Sequence, residues 1–134
     1  MLLTNSKDAL IVYQVPIENK RRYGRNWDGG YVIVDGGYTY DMYISCGIGD
    51  EMSFDDDFLK ANEGVESHAF DGTVDRPYNM SPRTIFHKLN IGVGTEDFNN
   101  TTNLLDLINR SSDIFLKMDI EGHEWAWINS LKYE

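Results

Sequence analysis

Two short strings in this sequence carry residue types that can do chemistry together. The first is Gly47-Ile48-Gly49-Asp50, followed 24 positions after Gly47 by an acid, Asp71. The second is Asp119-Ile120-Glu121-Gly122-His123. Glycines let a backbone turn tightly and come close to a ligand, and an acid at the end of the next strand can accept hydroxyl hydrogens from a ribose. In the second string, two carboxylates precede a histidine, the side chain whose ordinary pKa lies nearest neutrality. Such a group can take a proton from an acceptor hydroxyl, although His123 fits an N-cap or a packed histidine equally well. Asp119, Glu121 and His123 are therefore the candidate catalytic residues. Gly47, Gly49, Asp50, Asp71 and Asp119 are the candidate ligand-binding ones.

The residues after Gly49 discriminate between nucleotide-like ligands. A dinucleotide fold wants a third Gly or Ala three positions on, so that the helix packs close to the pyrophosphate. That position is Met52, and Asp50 and Glu51 intervene. Two acids beside a helix N-terminus repel a pyrophosphate but suit a cation that carries an adenosine ribose. S-adenosylmethionine is such a ligand, with a positive sulfonium and no phosphate, and it ranks above NAD, FAD and ATP. The phosphate-cradling Gly-x-x-x-x-Gly-Lys-[Ser/Thr] loop is missing from the sequence.

These strings work only if strands and helices place them at one end of a sheet. Tyr31–Val34 is a short strand bracketed by the turn signals Asp28-Gly29-Gly30 and Asp35-Gly36-Gly37. A strand over 40–46 runs into the glycine turn, and Ser53 is a candidate cap for a helix carrying Phe54, Phe58, Leu59 and Ala61 to Gly64. A second strand over 65–70 ends at Asp71. A third over 84–91 runs into Gly92-Val93-Gly94, and Thr101 or Thr102 caps a helix over 103–110. A fourth over 114–120 precedes a last helix from about Glu124 to Leu131. Strands that are near-continuous apolar runs alternating with helices signify parallel βα units covered on both faces.

Composition excludes several function classes. The 134 residues suit one domain, taken as 1–134 with an N-terminal arm over 1–25 and a Rossmann-like core over 26–134. With 12 Lys+Arg against 22 Asp+Glu, the net charge of -10 disfavours nucleic acid. Apolar runs such as Ala9–Val12 fall far short of the ~20 residues of a membrane span. Met1–Asn5 lacks the basic patch and apolar core of a signal peptide. One cysteine, Cys46, fits a reducing compartment, so a soluble cytoplasmic domain is expected.

Other suggestive residues have plainer explanations. Asp55-Asp56-Asp57 favour a helix macrodipole without a metal. His87 reads as a packed or surface histidine, and Cys46 as a small buried side chain. The basic cluster over 18–25 reads as a solvated face. Asn99 and Asn100 head glycosylation sequons that mean little without a secretory signal. Trp125 and Trp127 cannot share one helix face, so one packs on the sheet and the other points outward.

The segments Asp28-Gly29-Gly30-Tyr31, Gly47-Ile48-Gly49 with Ser53-Phe54-Asp55, Phe70-Asp71-Gly72-Thr73 and Leu116-Lys117-Met118-Asp119-Ile120-Glu121-Gly122-His123-Glu124-Trp125 resemble the FkbM-type, methyltransferase-like group of S-adenosylmethionine-dependent methyltransferases. The Lys-x-Asp-x-Glu-Gly-x-Glu pattern is the most specific part, and the resemblance spans roughly residues 21–131. It implies that Gly47, Gly49 and Asp50 surround the methionine part of the cofactor and that Asp71 holds its ribose. It also implies that Asp119 and Glu121 line the site near the transferred methyl. The reaction implied is O-methylation of a hydroxyl on a sugar or small molecule. The alternative is a non-catalytic S-adenosylmethionine-binding or interaction module.

The expected fold is thus α/β, a Rossmann-like methyltransferase sheet, mostly parallel and truncated after the fourth core strand and its helix. That leaves the apolar fourth strand at an open edge. Leu10–Val15 folded back beside it, or a homodimer through it, would cover that edge, and the homodimer is preferred.

Overall fold

Apolar strands that are buried on both faces need a layer on each side, and this chain supplies one from its N-terminal half and one from its C-terminal half. The computed structural model describes residues 14–93 and 100–131. A 3-10 turn at Ile17–Asn19 leads into β1 (Lys20–Tyr23), which pairs antiparallel with β2 (Tyr31–Val34). Then come β3 (Met42–Cys46), α1 (Ser53–Ala61), β4 (Glu66–Phe70), β5 (Thr84–His87) and β6 (Asn90–Ile91). The chain closes with β7 (Thr101–Thr102), α2 (Leu105–Ile108), β8 (Ile114–Met118) and α3 (Glu124–Ser130).

Four strands form one parallel sheet in the order β5-β4-β3-β8. The architecture is α/β and Rossmann-like. Successive strands step outward from β3 to β5, and β8 then returns to the other side of β3, so the connection reverses between β3 and β8. All five residues of β3 are buried. Its alternating side chains feed two cores, as the two-residue period of a strand requires. Tyr43 packs with Tyr23, Phe54, Phe58 and Leu59 under α1 and the hairpin. Met42, Ile44 and Cys46 pack with Phe70, Leu104 and Trp127 on the opposite face. Phe58 anchors the first core, its ring 4.5 Å from those of both Tyr43 and Phe115.

The register sets up the site. Cys46 lies level with Phe70 on one side and with Met118 on the other. The next residues along the three strands, Gly47, Asp71 and Asp119, therefore emerge side by side at the carboxyl edge of the sheet.

Several local expectations are corrected. The basic run at 20–23 is solvated as expected, with only Tyr23 buried, but it is also a strand of the hairpin, which its exposed charges mask in the sequence. Ser53 is the first helical residue, with Met52 at the N-cap. Its hydroxyl is already engaged by the β1–β2 hairpin loop, accepting from the Arg25 N–H at 3.0 Å and donating to the Gly29 carbonyl at 3.4 Å. The third strand breaks after His87, and Asn90–Ile91 pair instead with Thr101–Thr102. Those threonines are thus strand residues and not caps. The helix after them is confined to Leu105–Ile108, entered through Leu104 at a left-handed φ of 64°.

Trp127 is 5% exposed and Trp125 71%, so the two divide between core and solvent. Among the described residues, β8 pairs only with β3. Leu10–Tyr13, Gly94 and Asn99 lie outside the described residues, and Gln14 and Val15 belong to no strand. Among the described residues no helix is long and apolar enough to cross a membrane.

Candidate ligand site

A cavity of about 480 Å³ opens where the strand connection reverses. In open α/β sheets this is where ligands sit. Gly47 builds its floor. It has a φ of +72°, and a Cβ there would fall on the carbonyl oxygen of Asp119. That contact keeps the ends of β3 and β8 in touch, supported by the Asp119 N–H donating to the Cys46 carbonyl at 3.0 Å. Gly49 has a φ of +54° and open space where a Cβ would stand. Glycine at 47 is therefore demanded by the fold, whereas at 49 it leaves room inside the cavity.

Asp71 ties the glycine turn to the end of β4. Its Oδ2 accepts the Gly49 N–H at 2.9 Å, and its Oδ1 accepts both the N–H and the hydroxyl of Thr73, at 2.8 and 2.6 Å. Burial alone would raise its pKa, but the Thr73 hydroxyl and the N–H groups of Gly49, Thr73 and Val74 outweigh it and leave the carboxyl below its ordinary value. Phe70, Leu89 and Asn90 continue the wall on this side.

The opposite wall is built from β2 and β8. The Tyr31 hydroxyl donates to Asp119 Oδ2 at 3.2 Å across 88 residues of sequence. Burial, then the Asp119 charge, raises the Tyr31 pKa, so the phenol stays protonated. Lys117 also lines the cavity, with its ammonium 5.8 Å from the Tyr31 ring centroid and 5.7 Å from that of Phe54. That ammonium is held by Asp55 at 3.2 Å, and the other Asp55 oxygen accepts the Tyr43 hydroxyl at 2.8 Å. Asp55 is 1% exposed. It serves as the buried counter-charge of a strand lysine, a role beyond the macrodipole that explains its neighbours.

The remaining acids differ in how they are balanced. Glu51 accepts the Ser53 N–H at 2.8 Å and pairs with Arg25 at 2.5 Å, and the Ser53 bond leads in lowering its pKa. Asp50 and Glu121 line the cavity without a cationic partner among the described residues. Glu121 holds a left-handed φ of 58°, uncommon for a non-glycine residue and frequent at functional turns.

Gly47, Gly49, Asp50, Asp71, Asp119 and Glu121 thus meet at one cavity. His123 does not line it. It is the residue before α3, exposed, with Nδ1 donating to its own loop's Ile120 carbonyl at 3.2 Å. The structure thus places the candidate catalytic histidine at the N-cap of α3 and off the cavity wall, with its ring on a loop carbonyl. Sequence reasoning did not assign Tyr31, Lys117 or Asp55 to the site. The one available signal was a lysine inside an apolar strand, which requires a buried acid somewhere.

Cys46 is fully buried, and burial pushes its thiol up to about 12, so it is not a nucleophile. Among the described residues no cluster of His, Cys, Asp and Glu could hold a metal ion. Comparison with protein-family models, with curated proteins and with solved structures finds no match to this chain.

Proposed function

We propose that this chain is an S-adenosylmethionine-binding, FkbM-type methyltransferase domain that methylates a hydroxyl on a sugar or small molecule in the cytoplasm. The observation that carries the reading is the meeting of the Gly47-Ile48-Gly49 turn, Asp71 and Asp119 around one cavity where the strand connection reverses. The donor set fits the cofactor's chemistry. Six carboxylates line the wall (Asp28, Asp50, Glu51, Asp71, Asp119 and Glu121), and Lys117 is the only Lys or Arg among the lining residues. Such a lining opposes a phosphate and favours a cation.

In this reading the Gly49 backbone and Asp50 hold the amino-acid end, and Asp71 with Asn90 holds the ribose. Since Asp71 already accepts from Gly49 and Thr73, a ribose hydroxyl takes the place of the Thr73 hydroxyl. Phe70 and Leu89 give an apolar wall for a base. The cofactor supplies an electrophilic methyl group. Asp119 holds the acceptor hydroxyl through Oδ1 while Tyr31 fixes Oδ2, and Glu121 takes the proton released.

A second reading, a binding module without turnover, is favoured by the position of His123, which leaves the cavity wall without a histidine. Isothermal titration with S-adenosylhomocysteine tests the shared part of both readings, with micromolar binding expected; no binding overturns both. Release of labelled methyl from S-adenosylmethionine to an acceptor then supports catalysis, and its absence over a broad hydroxyl panel supports the module.

A further inference from the structure

Two charges at the end of β8 are treated oppositely by the fold. Lys117 and Asp119 are two residues apart, on the same strand end, and both line the cavity. The Lys117 ammonium is matched by Asp55, whose second oxygen is occupied by Tyr43, so lysine and acid form a closed, neutral pair. Asp119 receives a neutral phenol from Tyr31 and no cation among the described residues. The phenol orients the carboxylate without cancelling its charge. Glu121 follows two residues later in the loop, also without a cationic partner among the described residues. The fold thus commits its own cation to Asp55 while pinning the Asp119 carboxylate in place.

We infer that the Tyr31–Asp119 pair makes this site a charge reader, holding the cationic, methyl-bearing form of the cofactor more tightly than the neutral thioether left after transfer. The inference rests on the cofactor reading above and adds a direction to it: the product is the weaker ligand and leaves unaided. Opposite unit charges about 5 Å apart gain about fourfold in affinity at the dielectric of water, the regime that applies to Asp119, which is exposed. Tyr31 is a positioning residue here, and Asp119 is the residue that determines specificity.

The test is a pair of titrations on the full chain. One ligand is S-adenosylhomocysteine, a neutral thioether. The other is sinefungin, in which a carbon bearing an ammonium replaces the methylated sulfur. At about 50 mM salt the ammonium ligand should bind about three- to fourfold tighter, and the ratio should shrink as salt screens the pair. Asp119→Asn should bring the ratio to within about twofold of unity while S-adenosylhomocysteine affinity stays within about threefold. Tyr31→Phe, which frees the carboxylate to turn to water, should lower the ratio part of the way. Glu63→Gln removes an exposed charge from the opposite end of the sheet and should leave the ratio unchanged.

Equal affinities in the parent overturn the inference and leave the cofactor reading standing, and so does a ratio that survives Asp119→Asn. Failure of both ligands to bind overturns the cofactor reading and this inference with it. Should Asp119→Asn lose its circular dichroism spectrum, Tyr31→Phe decides, and an unchanged ratio in that variant overturns the inference.

Discussion

Replacing Gly47 and Gly49 by alanine, one at a time, separates what the fold needs from what a ligand needs. Both residues have positive φ, so each alanine incurs the same left-handed penalty of about 1–2 kcal/mol. At position 47 the new methyl also meets the Asp119 carbonyl, a backbone atom tethered by the Asp119–Cys46 hydrogen bond. Relieving that overlap forces β3 and β8 apart, at about 1–3 kcal/mol more. Gly47→Ala is therefore expected to lose about 3 kcal/mol in all, a large part of the stability of a domain this size. With a urea m-value of about 1.5 kcal/mol/M, the unfolding midpoint should fall by about 2 M. Gly49→Ala meets nothing, bears only the left-handed penalty and should fall by about 1 M. Its methyl occupies cavity space, however, so S-adenosylhomocysteine binding should weaken at least about tenfold. Urea unfolding followed by circular dichroism, with calorimetric titration of each variant, measures both. Equal midpoints for the two variants would refute the reasoning about the β3–β8 contact, and parental affinity in Gly49→Ala would remove that residue from the site.

Four further outcomes are expected. Lys117→Met leaves the buried Asp55 without its partner and should cost about 3 kcal/mol, with much of it restored in the Lys117→Met/Asp55→Asn double variant; a loss below about 1 kcal/mol would show that the pair is not structural. Because the folded-state pKa of Asp71 is depressed, its contribution to stability is present above the ordinary carboxylate pKa and disappears as pH falls through the lower folded value. Asp71→Asn should therefore flatten the stability profile below about pH 4, and an unchanged acid slope would contradict this. The Cys46 thiol, with its pKa pushed up to about 12, should resist alkylation at pH 8 in the native protein and react promptly in urea; rapid native labelling would mean that β3 is accessible. Light scattering should give the mass of two chains if β8 pairs through the edge that no described strand covers, and Trp125→Glu should shift it toward one, since Trp125 is the exposed tryptophan of α3; a parent that is monomeric at every concentration rules out that dimer.

The parallel sheet and its carboxyl edge were legible in the sequence because buried parallel strands are unbroken apolar runs, and glycines and acids stand where those runs stop. Gly47, Asp71 and Asp119 follow level residues of neighbouring strands, so reading the strand ends located the cavity. The hairpin partner β1 was hidden because three of its four residues face solvent with basic side chains. Asp55 was hidden for a different reason: the first turn of a helix already explains an acid, and only the fold reveals that Lys117 comes to lie beside it. The pairing of Tyr31 with Asp119 spans 88 residues and has no local trace. For His123 the sequence left a base and an N-cap equally open, because a histidine next to two carboxylates suits either; the structure places it at the N-cap of α3 with its ring on the Ile120 carbonyl.

The late return of β8 to the side of β3 governs when the cavity can exist. Asp41 and Asp113, which are hydrogen-bonded where these strands start, lie 72 residues apart, about three times the separation between the β3 and β4 partners. By chain entropy alone, closing that longer loop costs about 1 kcal/mol more. The β3–β4–β5 portion can therefore pair first during folding, carrying the glycine turn and Asp71 but only one wall. The β8 side of the second wall arrives later, with the last of the described strands. A ligand that touches both walls binds only the completed sheet and, by mass action, slows the departure of β8. Protection of β8 amides against hydrogen exchange would then report how full the cavity is.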